Sequence, residues 1–282
     1  EKFFRCILPK TPGGEKVAGV FLWIVIAVLA LCVPASLLWI CHKTNPYLRL
    51  FIESIMCWQC LATKSLKDES MKVFYELKNG DVEKARYAVS MIVGRDTKEL
   101  DEAAITRATV ETVAENTSDG VIAPMLYLAI GGGPLGFLYK AINTMDSMLG
   151  YVDEPYKNIG LIPAKADDVA NFIPSRISAL FMLLSGKLLK MNVKNGLKVF
   201  LRDRFNHKSP NSAQTESVVA GLLGLRLAGD AYYHGILHKK KYIGDELRKI
   251  EYDDIPRVCR LLYVTSFLSL IIFSAVKCFI VF

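Results

Sequence analysis

Residues 17–40 read VAGVFLWIVIAVLALCVPASLLWI and contain no charged side chain. An α-helix rises about 1.5 Å per residue, so a run of this length can cross a hydrocarbon core of about 30 Å. Residues 261–282 form a second apolar run, whose one charged residue, Lys277, lies near its end. The sequence therefore predicts two clear transmembrane helices, one near each end of the chain.

A third uncharged stretch, residues 120–139, differs from these two because it contains Pro124, Pro134 and three consecutive glycines at 131–133. Proline and glycine interrupt helices, and a bilayer tolerates irregular backbone only where protein or a cavity encloses it. We therefore expect a broken or re-entrant glycine-rich element here.

The stretch between the first helix and this element is more polar. Residues 47–66 are half apolar and carry Glu53, which predicts an amphipathic or protein-packed helix. Residues 67–107 have helical periodicity, and nine Lys and Arg side chains lie between Lys64 and Arg107, which favours a helical region on the cytoplasmic side. The turn signal at 79–81 makes Asp81 a candidate N-cap for the helix that follows.

The composition agrees with a membrane protein. Of the 282 residues 52% are hydrophobic, and the mean hydropathy is +0.27. The net charge of +7 indicates cytoplasmic loops, because no RNA-binding signature or arginine-rich tract points to nucleic acid. We predict an all-α, polytopic integral membrane protein with one membrane-embedded domain at 1–282 and a motif core at 93–212. Because the chain begins at Glu1, we expect its true start upstream.

Cysteine and histidine pairs give weaker signals. The seven cysteines are scattered, which favours free, buried thiols over a disulfide framework. Cys57 and Cys60 have the spacing of redox and zinc motifs, but no second pair accompanies them, so we prefer buried thiols. His234 and His238 are four positions apart and precede three lysines, so we prefer an interfacial helix end to a metal site.

Ionisable residues gather directly before the glycine-rich element. Glu111 and Glu115 are four positions apart, so they share a helical face. Arg107 lies one turn before them and Asp119 one turn after. One interpretation is a solvated face with an Arg107–Glu111 pair. The other is a functional site, because ionisable groups beside membrane-embedded backbone are costly.

A second polar group follows the glycine-rich element. Lys140, Asn143 and Asp146 fall on one side of a helix. Asn and Asp oxygens suit a hard cation such as Mg²⁺, and a lysine suits a phosphate. Capping or bridging of neighbouring helices is the structural alternative.

A third polar group begins at Asp167 and Asp168, with Asn171 on the same helical face. Paired carboxylates beside an amide suit Mg²⁺ that bridges to a substrate phosphate. Arg176 can bind a phosphate or carboxylate in bidentate fashion. The last piece is the SPNS turn at 209–212, which is either a plain turn or a backbone anion-binding loop.

Five blocks together resemble the adenosylcobinamide-phosphate synthase family of cobalamin biosynthesis. They are VGRDT at 93–97, AENTSDG at 114–120, YKAINTMDSM at 139–148, DDVANFIPSR at 167–176 and SPNS at 209–212. The resemblance covers about residues 17–235, with order and spacing kept. The chain departs from the family at its opening, which lacks the usual Gly-Asp-Pro and His-Pro-Val type segment, at Ser175, where alanine is common, and at Gln214 and Thr215, which replace a Trp-containing segment.

The resemblance implies a multi-pass enzyme of the cell membrane with its active site facing the cytoplasm. Such an enzyme joins adenosylcobyric acid, a corrinoid, to an amino-alcohol or its phosphate, such as aminopropanol phosphate. ATP and Mg²⁺ are expected to drive this amide ligase reaction. The implied partners are these substrates, membrane lipid and other cobalamin-assembly membrane enzymes, with no nucleic acid.

On this resemblance we assign three sets of site residues as hypotheses. The catalytic set, for proton transfer and ligand orientation, is Glu111, Glu115, Asn116 and Asp119. The substrate- and phosphate-binding set is Arg95, Lys140, Asn143, Arg176, Ser209 and Asn211. The metal set, for Mg²⁺ with ATP, is Asp119, Asp146, Asp167, Asp168 and Asn171.

Two other classes of protein use similar features. Intramembrane prenyltransferases hold Mg²⁺ and a diphosphate with Asn and Asp pairs, but they need more clean spans than this sequence shows. Transporters bury carboxylates and contain broken glycine-rich helices, but they predict inverted repeats, which the sequence does not show.

Overall fold

A computed structural model describes residues 11–150 and 157–281 of the chain, and this described part is mainly helical, with little sheet. The all-α prediction is confirmed. The helices are α1 (Pro12–Thr44), α2 (Pro46–Cys60), α3 (Thr63–Lys78), α4 (Val82–Ser90), α5 (Glu102–Thr117), a π-helical turn (Ser118–Ile122), α6 (Ala123–Leu149), α7 (Leu161–Ala170), α8 (Phe172–Leu188), α9 (Val193–Asp203), α10 (Ser212–Leu223) and α11 (Asp254–Val281). The strands are β1 (Leu227–Ala228), β2 (Ala231–Tyr233), β3 (Ile236–His238) and β4 (Tyr242–Ile243).

Three helical segments of the described chain are long and apolar enough to cross a membrane: Pro12–Thr44, Glu102–Leu149 and Asp254–Phe279. A bent pair, Leu161–Ala170 with Phe172–Leu188, makes a fourth candidate span. The first and third of these segments contain most of the two predicted apolar runs. The protein is therefore a polytopic membrane protein, as predicted.

The glycine-rich element is broken, as its sequence predicts. The backbone leaves the helical region at Gly131 and Gly132, where Gly132 has a φ of +63°. Only glycine adopts that conformation without strain. Pro134 begins the helix beyond the break, where its missing N–H removes no intrahelical hydrogen bond. The Glu53 carboxylate accepts a 3.4 Å hydrogen bond from Gly133 N, so a side chain from α2 caps the interrupted backbone.

The described chain divides into two compact units, and the single domain predicted at 1–282 stays a prediction. The first unit comprises Glu1–Leu61, Ala123–Phe172 and Phe273–Phe282. In it α6 packs against α1, α2 and α7. Its core cluster includes the buried Tyr139, Ile142 and Met145.

The second unit comprises Ala62–Ile122 and Ile173–Ile272. In it α5 contacts α3, α4, α10 and β1, and α9 packs along α10. Strands β1 and β4 pair in antiparallel fashion, and β2 and β3 form a separate antiparallel hairpin. Helix α5 therefore contacts elements from both sequence segments of this unit.

The interpretation of His234 and His238 as an interfacial helix end is wrong, because both lie in the β2–β3 hairpin. His234 and Gly235 form its two-residue turn, with φ values of 52° and 78°. Two positive φ values in succession match the turn geometry that the right-handed twist of a hairpin favours. The Asp96 carboxylate also accepts hydrogen bonds from the amides of both turn residues, at 3.2 and 2.7 Å.

The structure also differs from two predictions made from the sequence, the helix over 47–66 and the helical region over 67–107. The helix predicted at 47–66 ends at Cys60, because Ala62 N instead donates a 3.0 Å hydrogen bond to Gly120 O. Residues 91–101 are not helical, since Asp96 N donates to Tyr232 O at 2.9 Å. The predicted N-cap at Asp81 is confirmed by a 3.0 Å hydrogen bond from Lys84 N to its carboxylate.

Replacing Gly132 by alanine tests the break in α6. A Cβ at position 132 would overlap the Glu53 carboxylate, and the alanine would have to adopt a positive φ. We expect Gly132→Ala to lower the free energy of unfolding in detergent by about 1–3 kcal/mol. The matched control is Gly13→Ala, where nothing lies within 4 Å of the added methyl group. Equal stability of the two variants would contradict the strained, Glu53-capped break.

Candidate active site

A buried ion pair joins the VGRDT loop to α5 in the second unit. Arg95 Nη2 donates to Glu111 Oε2 at 2.5 Å, and the two side chains are 18% and 5% exposed. Glu111 Oε1 accepts a second hydrogen bond from Ala228 N at 2.6 Å. Burial alone would lower the pKa of Arg95, but the Glu111 carboxylate raises it overall, so the guanidinium stays charged. The interpretation of a solvated Arg107–Glu111 pair is therefore wrong.

Glu115 joins the same region to the SPNS turn. Ser212 Oγ donates a 2.7 Å hydrogen bond to Glu115 Oε1, across a sequence separation of 97 residues. Glu115 is half-buried, whereas Ser212 is buried at the start of α10. Two of the five blocks, AENTSDG and SPNS, therefore meet through a direct side-chain contact.

Glu216 is a third carboxyl group in this region. It lies one turn after Ser212 on the fully buried helix α10, and its Oε2 atom has no hydrogen-bond partner within the described residues. Burial raises its pKa well above the usual value, and the charges of Glu115 and Glu111 raise it further. The carboxyl group of Glu216 therefore keeps its proton to a higher pH than an exposed glutamate does.

A lysine and a histidine act on these carboxyl groups. The charge of Lys240 opposes the rise in the pKa of Glu216, and its Nζ donates to Tyr233 Oη at 2.8 Å. Burial lowers the pKa of His207, while Glu115 acts in the opposite direction. The site is therefore a cluster of acids and bases of both signs, which we call the carboxyl cluster: Glu111, Glu115, Glu216, Arg95, His207 and Lys240.

Glu216 is the functional candidate that the sequence analysis missed. One signal was present: Glu216 is the only ionisable residue between Ser212 and Leu225. An acid in an otherwise uncharged helix is costly to bury, and such groups often mark a site.

A cavity of about 1030 Å³ lies beside the carboxyl cluster in the second unit. Arg95 and Arg107 both line it, together with residues of the VGRDT loop and of the β2–β3 hairpin. Asp96 fastens the loop to the hairpin through its bonds to the turn amides. Arg107 Nε is buried and has no acceptor within the part of the chain that the structure describes.

The end of the DDVANFIPSR block meets the SPNS turn elsewhere in the second unit. Asn211 Oδ1 accepts hydrogen bonds from Ser175 Oγ and from Arg176 Nη1, each at 3.3 Å. Asn211 N donates to Ser209 Oγ at 3.3 Å, which shapes the turn itself. The predicted phosphate-binding residues Arg176, Ser209 and Asn211 are therefore neighbours.

A polar network in the first unit joins the YKAINTMDSM block to the start of the DDVANFIPSR block. Tyr139 Oη donates to Asn171 Oδ1 at 2.7 Å, and Asn171 Nδ2 donates to Asp167 Oδ2 at 2.9 Å. Asn143 Nδ2 donates to Asp167 Oδ1 at 3.3 Å. Asp167 and Asn171 are buried. The structure thus brings Asn143, Asp167 and Asn171 together, as a shared site requires.

The remaining predicted residues are more dispersed. Asn116 Nδ2 bonds to Thr112 O of its own helix at 3.0 Å, and Asp119 is half-buried in the π-helical turn of the second unit. Asp146 and Asp168 are half-buried in the first unit. Lys140 lines an apolar cavity of about 470 Å³ between α1 and α6, which is not the polar setting expected for a phosphate ligand.

The metal set contains oxygen donors alone. Across the described ranges, no group of three or more His, Cys, Asp or Glu side chains is arranged to hold a metal ion. Mg²⁺, however, commonly takes one or two protein carboxylates and completes its shell with water and substrate phosphates. The Asp and Asn oxygens at 143–171 fit a magnesium ion that arrives with a phosphate.

The cysteines of the described chain are free, as predicted, but not all of them are buried: Cys32 and Cys278 are exposed and Cys57 is half-buried. Burial and, to a smaller extent, the neighbouring Cys57 raise the pKa of the Cys60 thiol to about 11. A thiol with so high a pKa is a poor nucleophile and metal ligand at neutral pH. Cys57 and Cys60 therefore carry no redox or zinc chemistry in our account of the site.

Comparisons with known proteins agree on one family. The family model described as CobD/Cbib protein matches residues 1–262. A Clostridium perfringens protein named cobalamin biosynthesis protein CobD is 47% identical over 278 residues, covering 99% of this chain and 87% of the relative. A Streptococcus sanguinis protein of the same name is 49% identical over 256 residues, covering 91% and 81%.

A Salmonella choleraesuis protein named cobalamin biosynthesis protein CbiB is 42% identical over 276 residues, covering 97% of this chain and 86% of the relative. No solved structure matches the chain. The family match extends over nearly the whole chain and includes all five blocks. The protein therefore belongs to the CobD/CbiB family of cobalamin biosynthesis proteins.

Proposed function

We propose that the protein is an adenosylcobinamide-phosphate synthase. It joins a carboxyl group of adenosylcobyric acid to the amine of aminopropanol phosphate or a related amino-alcohol, at the expense of ATP. The family membership supports a role in cobalamin biosynthesis. The choice of reaction rests on the chemistry of the residues that the five blocks bring together.

One observation carries the proposal: blocks far apart in sequence meet through polar side chains and not through apolar packing. Ser212 contacts Glu115, and Tyr139 contacts Asn171. Structural packing alone would not require hydrogen bonds at these positions, since apolar residues of similar size would fill the same space. Buried acids, amides and hydroxyl groups are what an acyl-transfer reaction with phosphates needs.

Amide formation needs an activated acyl group, because a carboxylate oxygen is a poor leaving group. In the proposed reaction the γ-phosphoryl group of ATP passes to a propionate oxygen of the corrin, and ADP leaves. The amine nitrogen then attacks the acyl carbon, the carbon–oxygen bond to the phosphate breaks, and inorganic phosphate leaves. The amine arrives as an ammonium ion, so it must first give up a proton to the protein.

The carboxyl cluster supplies the acceptor for that proton. Both oxygens of Glu111 are already bonded, to Arg95 and to Ala228 N, so its role is to hold the guanidinium in place. Glu115 is half-buried and bonded through one oxygen to Ser212, which leaves it the better base. Glu216 already holds a proton, so the cluster avoids three adjacent negative charges.

The phosphate chemistry is assigned to the remaining predicted residues. Asp146, Asp167 and Asp168, with Asn171, would hold Mg²⁺ in the first unit. That ion would neutralise phosphate charge when bound. Asn143 orients Asp167 through its amide, and Arg176 with Ser209 and Asn211 forms a separate anion-binding group. We place these groups on the cytoplasmic side, because residues 64–107 are rich in Lys and Arg.

The proposed reaction can be assayed directly with the purified protein. Adenosylcobyric acid, aminopropanol phosphate and Mg²⁺–ATP should give a product whose mass equals acid plus amine minus water, with one ADP released per amide. Omitting Mg²⁺ or adding a chelator should abolish both readouts. Folded protein that forms no amide with any amino-alcohol or amino-alcohol phosphate would refute the proposal.

Glu216→Gln tests the protonated acid. Because the folded state holds the Glu216 proton to higher pH than the unfolded chain does, the free energy of unfolding falls as pH rises from the ordinary value of 4.5 through the folded pKa. Glutamine stays neutral, so the variant should gain stability relative to the parent as pH rises from 5 to 8.

Thermal unfolding midpoints in detergent at several pH values measure this difference. Glu69→Gln is the matched control, because Glu69 is an exposed acid paired with Lys72 on α3. Its stability should follow that of the parent at every pH. Parallel curves for the parent and Glu216→Gln would show that Glu216 does not hold a proton in this pH range.

A further inference from the structure

Helix α9 follows directly after a candidate membrane span. The bent pair formed by α7 and α8 is long and apolar enough to cross a bilayer, and α8 ends at Leu188. Helix α9 begins at Val193, so only residues 189–192 link the two helices. Four extended residues reach at most about 14 Å. A span that ends at Leu188 therefore leaves α9 at the surface of the membrane.

The inner face of α9 is fixed by its packing along α10 in the second unit. The two helices approach so closely that a Cβ on Gly221 would lie 2.6 Å from the Cα of Gly196. Asn195 Nδ2 donates a 2.7 Å hydrogen bond to Gly221 O. Val199 and Asp203 of α9 are buried. These contacts set the rotation of the helix about its own axis, and with it the side chains that point away from α10.

The outer face of α9 carries an apolar stripe. Leu197 and Leu201 are four residues apart, so they lie one above the other on the helix, and they are 46% and 59% exposed. Phe205, just beyond the end of the helix, is 63% exposed. Large apolar side chains exposed in a row mark a surface that another apolar phase covers. At the surface of a bilayer, that phase is the boundary between the lipid headgroups and their acyl chains.

A basic stripe runs beside the apolar one. Lys194 and Lys198 are exposed and have the same four-residue spacing, and neither forms an ion pair within the described residues. Arg202 continues the stripe but is bound to Asp203 and Asp245. The one acid of α9, Asp203, is buried. The exposed face therefore presents two uncompensated ammonium groups beside apolar side chains, which is the pattern of a helix that lies on anionic lipid.

We propose that the outer face of α9 lies on the cytoplasmic surface of the bilayer and binds the headgroups of anionic phospholipids. The leucines and Phe205 enter the boundary between headgroups and acyl chains, while Lys194 and Lys198 extend to the lipid phosphates. Because α9 packs along α10, which carries Glu216, this contact also holds the carboxyl cluster near the membrane surface. The inference is independent of the proposed amide synthesis.

The test measures how fast a water-soluble acetylating reagent modifies each lysine of the full-length parent protein, read out by mass spectrometry. The protein is placed in nanodiscs of phosphatidylcholine alone, in nanodiscs that also contain phosphatidylglycerol, and in detergent. We expect Lys194 and Lys198 to react at least about threefold more slowly in the anionic nanodiscs than in the neutral ones. Lys84 is the reference, because its side chain is 70% exposed on α4, and it should react at one rate throughout.

Replacing the apolar stripe tests its part in the contact. In the double variant Leu197→Ser and Leu201→Ser, both lysines should react in anionic nanodiscs at nearly the rate seen in detergent. Tyr87→Ser, which removes a side chain that is 71% exposed on α4, is the matched control and should keep the protection of the parent. Equal rates for the two lysines of the parent in both kinds of nanodisc would overturn the proposal. Unchanged protection in the double variant would also overturn it.

Discussion

A buried carboxylate at Glu111 sets the main constraint on the second unit. Its oxygens are satisfied by Arg95, from the loop before α5, and by Ala228 N, from the strand after α10. Removing one partner of a buried ion pair typically costs about 3–5 kcal/mol, because the other charge stays buried and uncompensated. The VGRDT loop and β1 are therefore both held against α5 by one side chain.

The position of the other functional groups depends on this anchor. With Arg95 fixed, the cavity beside it has a charged wall, and Asp96 in the same loop fastens the β2–β3 hairpin. Arg95 balances the charge of Glu111, and Glu216 keeps its proton, so Glu115 and Glu216 can lie close together. This region contains the Arg95–Glu111 ion pair, the hydrogen-bonded carboxylate of Glu115 and the neutral acid Glu216. Together these groups are suited to accept a proton from an amine.

Features with local causes could be predicted from the sequence, whereas features made by tertiary contacts could not. The local features are the uncharged run at 17–40, the capping side chain of Asp81 and the glycine at 132. Each of them determines the conformation of the backbone next to it. Of the carboxyl cluster only Arg95 and Glu115 lie in the five blocks, whereas the polar network at 139–171 lies wholly within them. The pairing of Arg95 with Glu111, by contrast, is a tertiary contact between the VGRDT loop and α5. The pattern of residues at 107–115 cannot show such a contact. The burial of Glu216 likewise depends on helices from elsewhere in the chain.

A double-mutant cycle on Arg95 and Glu111 tests this account most directly. The variants are Arg95→Met, Glu111→Leu and the double replacement, each compared with the parent by reversible unfolding in detergent. We predict that each single replacement destabilises the protein strongly and that the double replacement is less harmful than the sum, with a coupling energy of about 2 kcal/mol. Additive effects of the two replacements would contradict the claim that this buried pair organises the site.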